Sequence, residues 1–194
     1  MKIILQSALL LSAGFIGSAQ AAVSIGLNTG ETAVNMGEIV KLGINFDFDD
    51  AASFGGSFKL SYNEDVLSNP MFNFQPASEL DAFGIQSQFN LAGELTDNSF
   101  KVTFGTLSFS RGVTGAGFLG YLTFDTLAEG SSDIILSDFN NVSGFTDFNT
   151  FGRLSVDYQN GSVNVSSVPV PAAVWMFASA CGLLLGGRKK LNNR

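Results

Sequence analysis

The sequence predicts an all-β sandwich set between two apolar address segments. Three observations point to it. Apolar and polar residues alternate in short runs along the middle of the chain. Gly (22) and Phe (19) are abundant, whereas charged residues make up 14%. Both ends carry uncharged apolar stretches flanked by basic residues. At 194 residues the chain has room for one domain with a real core.

The first 21 residues carry Lys2, an apolar stretch over 3–16 and small residues at Ala19 and Ala21. This is the layout of a secretory signal peptide cut after Ala21, which implies passage through the Sec translocon. An uncleaved N-terminal anchor is the alternative. The predicted domains are a signal peptide helix at 1–21, a body at 22–167 and a tail at 168–194.

Within the body, residues 40–48 place Val40, Leu42, Ile44, Phe46 and Phe48 at every second position. That spacing gives a half-buried strand. Residues 54–62 set Phe58, Leu60 and Tyr62 on one face, and 100–104 alternate again. The phase then slips to Leu107 and Phe109, for which a bulge near Gly105 and Thr106 would account. In 118–124, Phe118, Gly120, Leu122 and Phe124 share one side; both faces carry apolar residues, as in an interior strand. Residues 133–136 and 161–165 complete the series, with Gly, Asn and Asp at the turns. Periodicity is weaker over 70–93 and 138–151, which are expected to be loops or short helical turns.

The tail opens with Val168, Pro169, Val170, Pro171, Ala172, Ala173, Val174 and Trp175, and 168–187 bear no charge. Twenty helical residues rise about 30 Å, the thickness of a bilayer core. The prolines stand where a helix tolerates them best. Arg188, Lys189 and Lys190 form a basic stop that favours the cytoplasmic side. With no polar face at helical spacing, this run is read as a transmembrane helix over 172–187 rather than a core helix. Its Val-Pro-x-Pro entrance, short apolar helix and basic cluster resemble the PEP-CTERM sorting tail. That resemblance implies recognition by an exosortase, removal of the tail near 169–171, and delivery of the body to the cell surface or extracellular matrix, where exopolysaccharide is expected.

The body resembles cohesin domains. Residues 37–42 are similar to their first long strand, and 56–67 to a segment of pattern F-x-L-x-Y-D-P-x-V-L, with Asn63 in place of its aspartate. Residues 115–124 are similar to a G-x-G-x-L-a-x-l-x-F strand. The likeness spans roughly 23–166. It implies a nine-stranded jelly roll, related in architecture to carbohydrate-binding modules, and a dockerin-like partner or a polysaccharide.

Composition narrows the chemistry. There is no His, and the single Cys, Cys181, lies in the tail. A His/Cys zinc site and a His-based catalytic dyad or triad are therefore excluded within this chain. Residues 22–167 hold five basic and 17 acidic residues, a net charge of −12 that repels nucleic acid and anionic membrane. Asp47, Asp49 and Asp50 are a weak Ca²⁺ candidate, lacking the spacing of an EF-hand; a solvated acidic turn is the plainer reading. Pairs such as Glu64 with Asp65 or Glu79 with Asp81 have no spacing that singles them out as a glycosidase acid and base. Phe72, Phe74, Phe83 and Phe89 are expected mostly in the core, and the body has no Trp for a planar glycan platform. No cofactor and no catalysis are expected. The function expected is that of an exported binding or structural protein of the envelope or matrix, its partners an exopolysaccharide or an envelope protein.

Overall fold

The computed structural model describes residues 23–95, 99–139 and 144–167, together with 176, 177 and 179. The signal cleavage box at Ala19 and Ala21, the sorting motif at 168–175 and the basic stop at 188–190 lie outside the described residues. Among the described residues no helix is long and apolar enough to cross a membrane. All but three residues of the predicted span at 172–187 also fall outside that set.

The described residues build twelve strands: β1 (Val23–Leu27), β2 (Glu31–Asn35), β3 (Ile39–Asp47), β4 (Ser53–Ser61), β5 (Leu67–Phe74), β6 (Leu91–Glu94), β7 (Phe100–Gly105), β8 (Ala116–Thr126), β9 (Gly130–Asp138), β10 (Thr146–Asp147), β11 (Val156–Gln159) and β12 (Gly161–Ser166). A one-turn helix, α1 (Ala77–Leu80), and two 3₁₀ turns fill 77–89. One sheet runs β11-β1-β3-β8-β5. The other runs β2-β12-β9-β4-β7-β6, with β10 alongside β4. The first and last segments close both sheets, because β1 pairs parallel with β11 and β2 parallel with β12.

The alternation read in β3 holds: Val40, Leu42, Ile44, Phe46 and Phe48 are all buried. They meet Phe58 and Leu60 of β4, Val102 and Phe104 of β7, Leu122 and Phe124 of β8, and Ile134 and Leu136 of β9. Phe46, Phe48, Phe104 and Phe145 form a continuous ring cluster, with centroids 5.3–6.2 Å apart. Offset and edge contacts of this kind add to simple area burial. Among the described residues, the buried core runs from Val23 to Val165.

Several expectations need correction. Residues 67–74 form a strand, masked in sequence by Pro70 and by a register shift between Ser68 and Met71. Residues 91–94 form an edge strand that is exposed throughout and therefore shows no alternation. Between them, 77–89 do make short helical turns. β7 ends at Gly105, with no bulge carrying it onward, and Leu107 and Phe109 sit on the following loop, 61% and 82% exposed. In β8 the inward set switches at Gly120: Leu119, Leu122 and Phe124 are buried, whereas Phe118 stacks edge-on against Tyr121 on the outer side. β8 is an interior strand, between β3 and β5.

Candidate binding surfaces

The outer face of β9-β4-β7-β6 is broad. Strand alternation and register place Ser57, Lys59 and Ser61 of β4 on it, beside Lys101 and Thr103 of β7, Ile135 and Ser137 of β9, and Leu91 of β6. Ser57 and Thr103 share a hydroxyl hydrogen bond of 2.8 Å across the strands. Ile135 and Leu91 are 47% and 65% exposed. Lys59 and Lys101 are direct cross-strand partners. Like charges placed opposite one another in a ladder cost stability. The Lys101 ammonium lies 3.9 Å over the Phe139 ring, a contact that offsets part of this cost. Two of the five lysine and arginine residues of an acidic body thus meet at the middle of one sheet.

The opposite sheet face carries Tyr121, with the Lys41 ammonium 3.7 Å above its ring and Phe118 4.8 Å away. Met71 lies on the same face and is exposed.

A second kind of surface stands at the end of the sandwich where β4 begins. Gly55 has φ +96°, and the Phe104 carbonyl occupies the place where a Cβ would be. Only Gly accepts this combination without strain. Across this irregularity Phe54 leaves the inward row of Phe58 and Leu60. Its ring lies 4.7 Å from Phe148, 5.3 Å from Phe151 in a stacked arrangement and 6.2 Å from Phe109. The turn presenting Phe148 and Phe151 is organised by the Asp147 carboxylate, which accepts the N–H groups of Asn149 and Thr150 at 2.8 and 2.7 Å. These bonds, chiefly that from Thr150, hold its pKa below the ordinary value.

A cleft of about 330 Å³ opens at the other end, lined by Tyr62, Glu64, Leu67, Asn69, Glu94 and Ser99. Burial pushes the Tyr62 hydroxyl upward, and the charges of Glu94 and Glu64 add to that. Glu79 and Asp81 stand elsewhere, on and beside α1.

Asp47, Asp49 and Asp50 form a turn. The Asp47 carboxylate accepts the Asp49 N–H at 2.8 Å. Among the described residues no group of carboxylates is arranged to hold a metal ion. Phe72, Phe74 and Phe83 pack against the core, as expected, and Phe83 meets Phe46 edge-on at 5.3 Å. In the Phe54 cluster Phe109 and Phe151 reach solvent, which sequence reading missed because inward and outward Phe look alike without the Gly55 irregularity.

No protein-family model and no curated protein matches the chain. Solved structures do match. The seventh ScaB type I cohesin from Pseudobacteroides cellulosolvens is similar over 77% of this chain and 96% of its own, at 17% identity and a TM-score of 0.59. The body has the cohesin fold. A structure of the Coh-OlpC–Doc435 complex, a type I cohesin–dockerin complex from Clostridium thermocellum, matches over 76% of this chain and 95% of that chain, at 12% identity and a TM-score of 0.58. The sixth cohesin of scaffoldin B from Acetivibrio cellulolyticus, in complex with a mutant Cel5 dockerin, matches over 75% and 98%, at 17% identity and a TM-score of 0.57.

Proposed function

We propose that the body is a non-catalytic recognition module that docks a protein partner of dockerin-like kind on the outer face of β9-β4-β7-β6. The observation that carries this reading is the Lys59–Lys101 cross-strand pair. The two lysines offer cations to partner carboxylates, and Ile135 and Leu91 offer apolar contact on either side. The cohesin fold and the dockerin-bound neighbours support the same choice of partner class.

We further propose that the protein is exported by its signal peptide and sorted by an exosortase through the PEP-CTERM-like tail. Its body then works at the cell surface or in an exopolysaccharide-containing matrix. The two address segments support this reading.

Docking is tested with residues 22–167 as bait against envelope proteins and a panel of type I dockerins, followed by Lys59→Glu/Lys101→Glu. A partner captured by the wild type is expected to be lost from the variant, which still melts in a single cooperative transition. Retention of every captured partner would remove the sheet-face reading. Delivery is tested by fractionating cells that express the chain with and without 168–194. Equal amounts of both at the surface would show that the tail is not the sorter.

A further inference from the structure

The Phe54 cluster is unlike the rest of the surface. Phe109 and Phe151 expose 82% and 69% of their area, and Leu107 beside them 61%. Phe151 is held at φ 58°, a conformation that a bulky side chain rarely adopts. Its N–H donates to the Asp147 carbonyl at 3.0 Å, and that turn keeps its ring stacked on Phe54 rather than folded into the core. A set of contiguous aromatic rings at solvent marks an interaction site.

Four candidate occupants face physical objections. The chain's own tail leaves from the other end. β12 finishes beside the β2–β3 turn, where the Met36 N–H donates to the Ser166 carbonyl at 2.8 Å. The registers through β9 and β4 place that exit about 43 Å from Phe54, at roughly 3.3 Å per strand residue, and the uncharged run that follows is read as a membrane span. A second copy would bring acidic rim against acidic rim: Asp49 and Asp50 are exposed at this end. The two arginines nearby are engaged, Arg153 with Asp138 at 3.6 Å and Arg111 with the Ala82 carbonyl. An anionic membrane is repelled by the same charge. A glycan finds no Trp or Tyr ring, and none of their polar handles, in the cluster.

From this we infer a second docking site at the phenylalanine tip, specific for a polypeptide segment whose apolar anchor is flanked by Lys or Arg. The apolar anchor covers the rings, and the flanking cations meet the carboxylates of the rim. The site is distinct from the sheet face and leaves that face free for another partner. It also points away from the end where the tail emerges.

The test is peptide display. Random dodecamers are selected on the full chain in detergent, with Phe109→Ser/Phe151→Gly as the subtraction target. Both substitutions preserve the fold, because Phe109 is exposed and Gly suits the Phe151 backbone. Peptides specific to the wild type are expected to join Leu, Ile, Met or aromatic residues to Lys or Arg. Their synthetic forms should bind the variant at least tenfold more weakly, and the wild type at least tenfold more weakly in 500 mM than in 50 mM salt. Lys59→Glu/Lys101→Glu should leave this binding intact, which separates a failure here from a failure of the sheet-face reading. The inference is overturned if no peptide distinguishes the two proteins, or if those that do are acidic or uncharged. It is also overturned if light scattering shows a wild-type dimer that the variant dissolves, since the occupant is then a second copy.

Discussion

Phe54 and Phe58 have the same parity on one strand, yet one ring reaches the surface cluster and the other lies in the core. Gly55 separates them with a left-handed backbone and no space for a Cβ. Gly55→Ala should therefore destabilise residues 22–167 by about 2 kcal/mol or more, from backbone strain together with steric overlap. Urea unfolding measures it, and an unchanged midpoint would contradict the assignment. Tyr158 gives a second prediction at this scale. Its hydroxyl donates to Asp138 at 2.9 Å. Burial first, and then that bond and the Asp138 charge, raise its pKa well above the usual tyrosine range. A raised folded pKa means that its contribution is fully present below about pH 10, the unfolded value, and is lost as pH rises beyond it. Tyr158→Phe should flatten the alkaline limb of a stability-versus-pH curve and leave the neutral region with the smaller change.

At the level of elements, the turn 147–152 is set by one carboxylate. Because the Asp147 pKa is lowered, its contribution is present above the unfolded value near 3.8 and disappears as pH falls through the folded one. Asp147→Ala should release the turn at every pH, so Phe148 and Phe151 no longer hold against Phe54. The expected readout is faster amide exchange over 147–152 with global stability reduced by about 1 kcal/mol. Unaltered exchange would mean that the aromatic stack, not the carboxylate, orders the turn. The elements also differ in how legible they were. β3 has one buried face on which Val40, Leu42, Ile44 and Phe46 alternate, with Phe48 continuing the row just beyond it, so its period shows. β1 is covered along nearly its whole length and β6 is exposed along its whole length, so neither alternates. β5 is broken by the Ser68–Met71 register shift. A period of two is visible only where exactly one face is buried and the strand itself carries no extra residue.

For the whole molecule, closure by the first and last strands has a direct consequence. Removing everything after residue 155 takes away β11 and β12, which leaves β2 without a partner and β1 with one neighbour. Such a chain should show no cooperative melting by circular dichroism, whereas a chain ending at residue 167 should melt in a single transition. Cooperative melting of the shorter chain would mean that the parallel pairings are dispensable. What the sequence by itself determined is the class of structure and the chemistry it forbids. Alternation and turn residues specify strands, the missing His and the lone tail Cys remove whole families of mechanism, and the two apolar ends supply the predicted addresses. These are local or compositional properties, written in neighbouring residues. Only the tertiary structure decided that Lys59 faces Lys101, that the four exposed-cluster phenylalanines from three separate segments meet, and that the tail leaves from the opposite end. Those facts depend on which strands pair and in what register, and such pairing joins residues that the sequence keeps far apart.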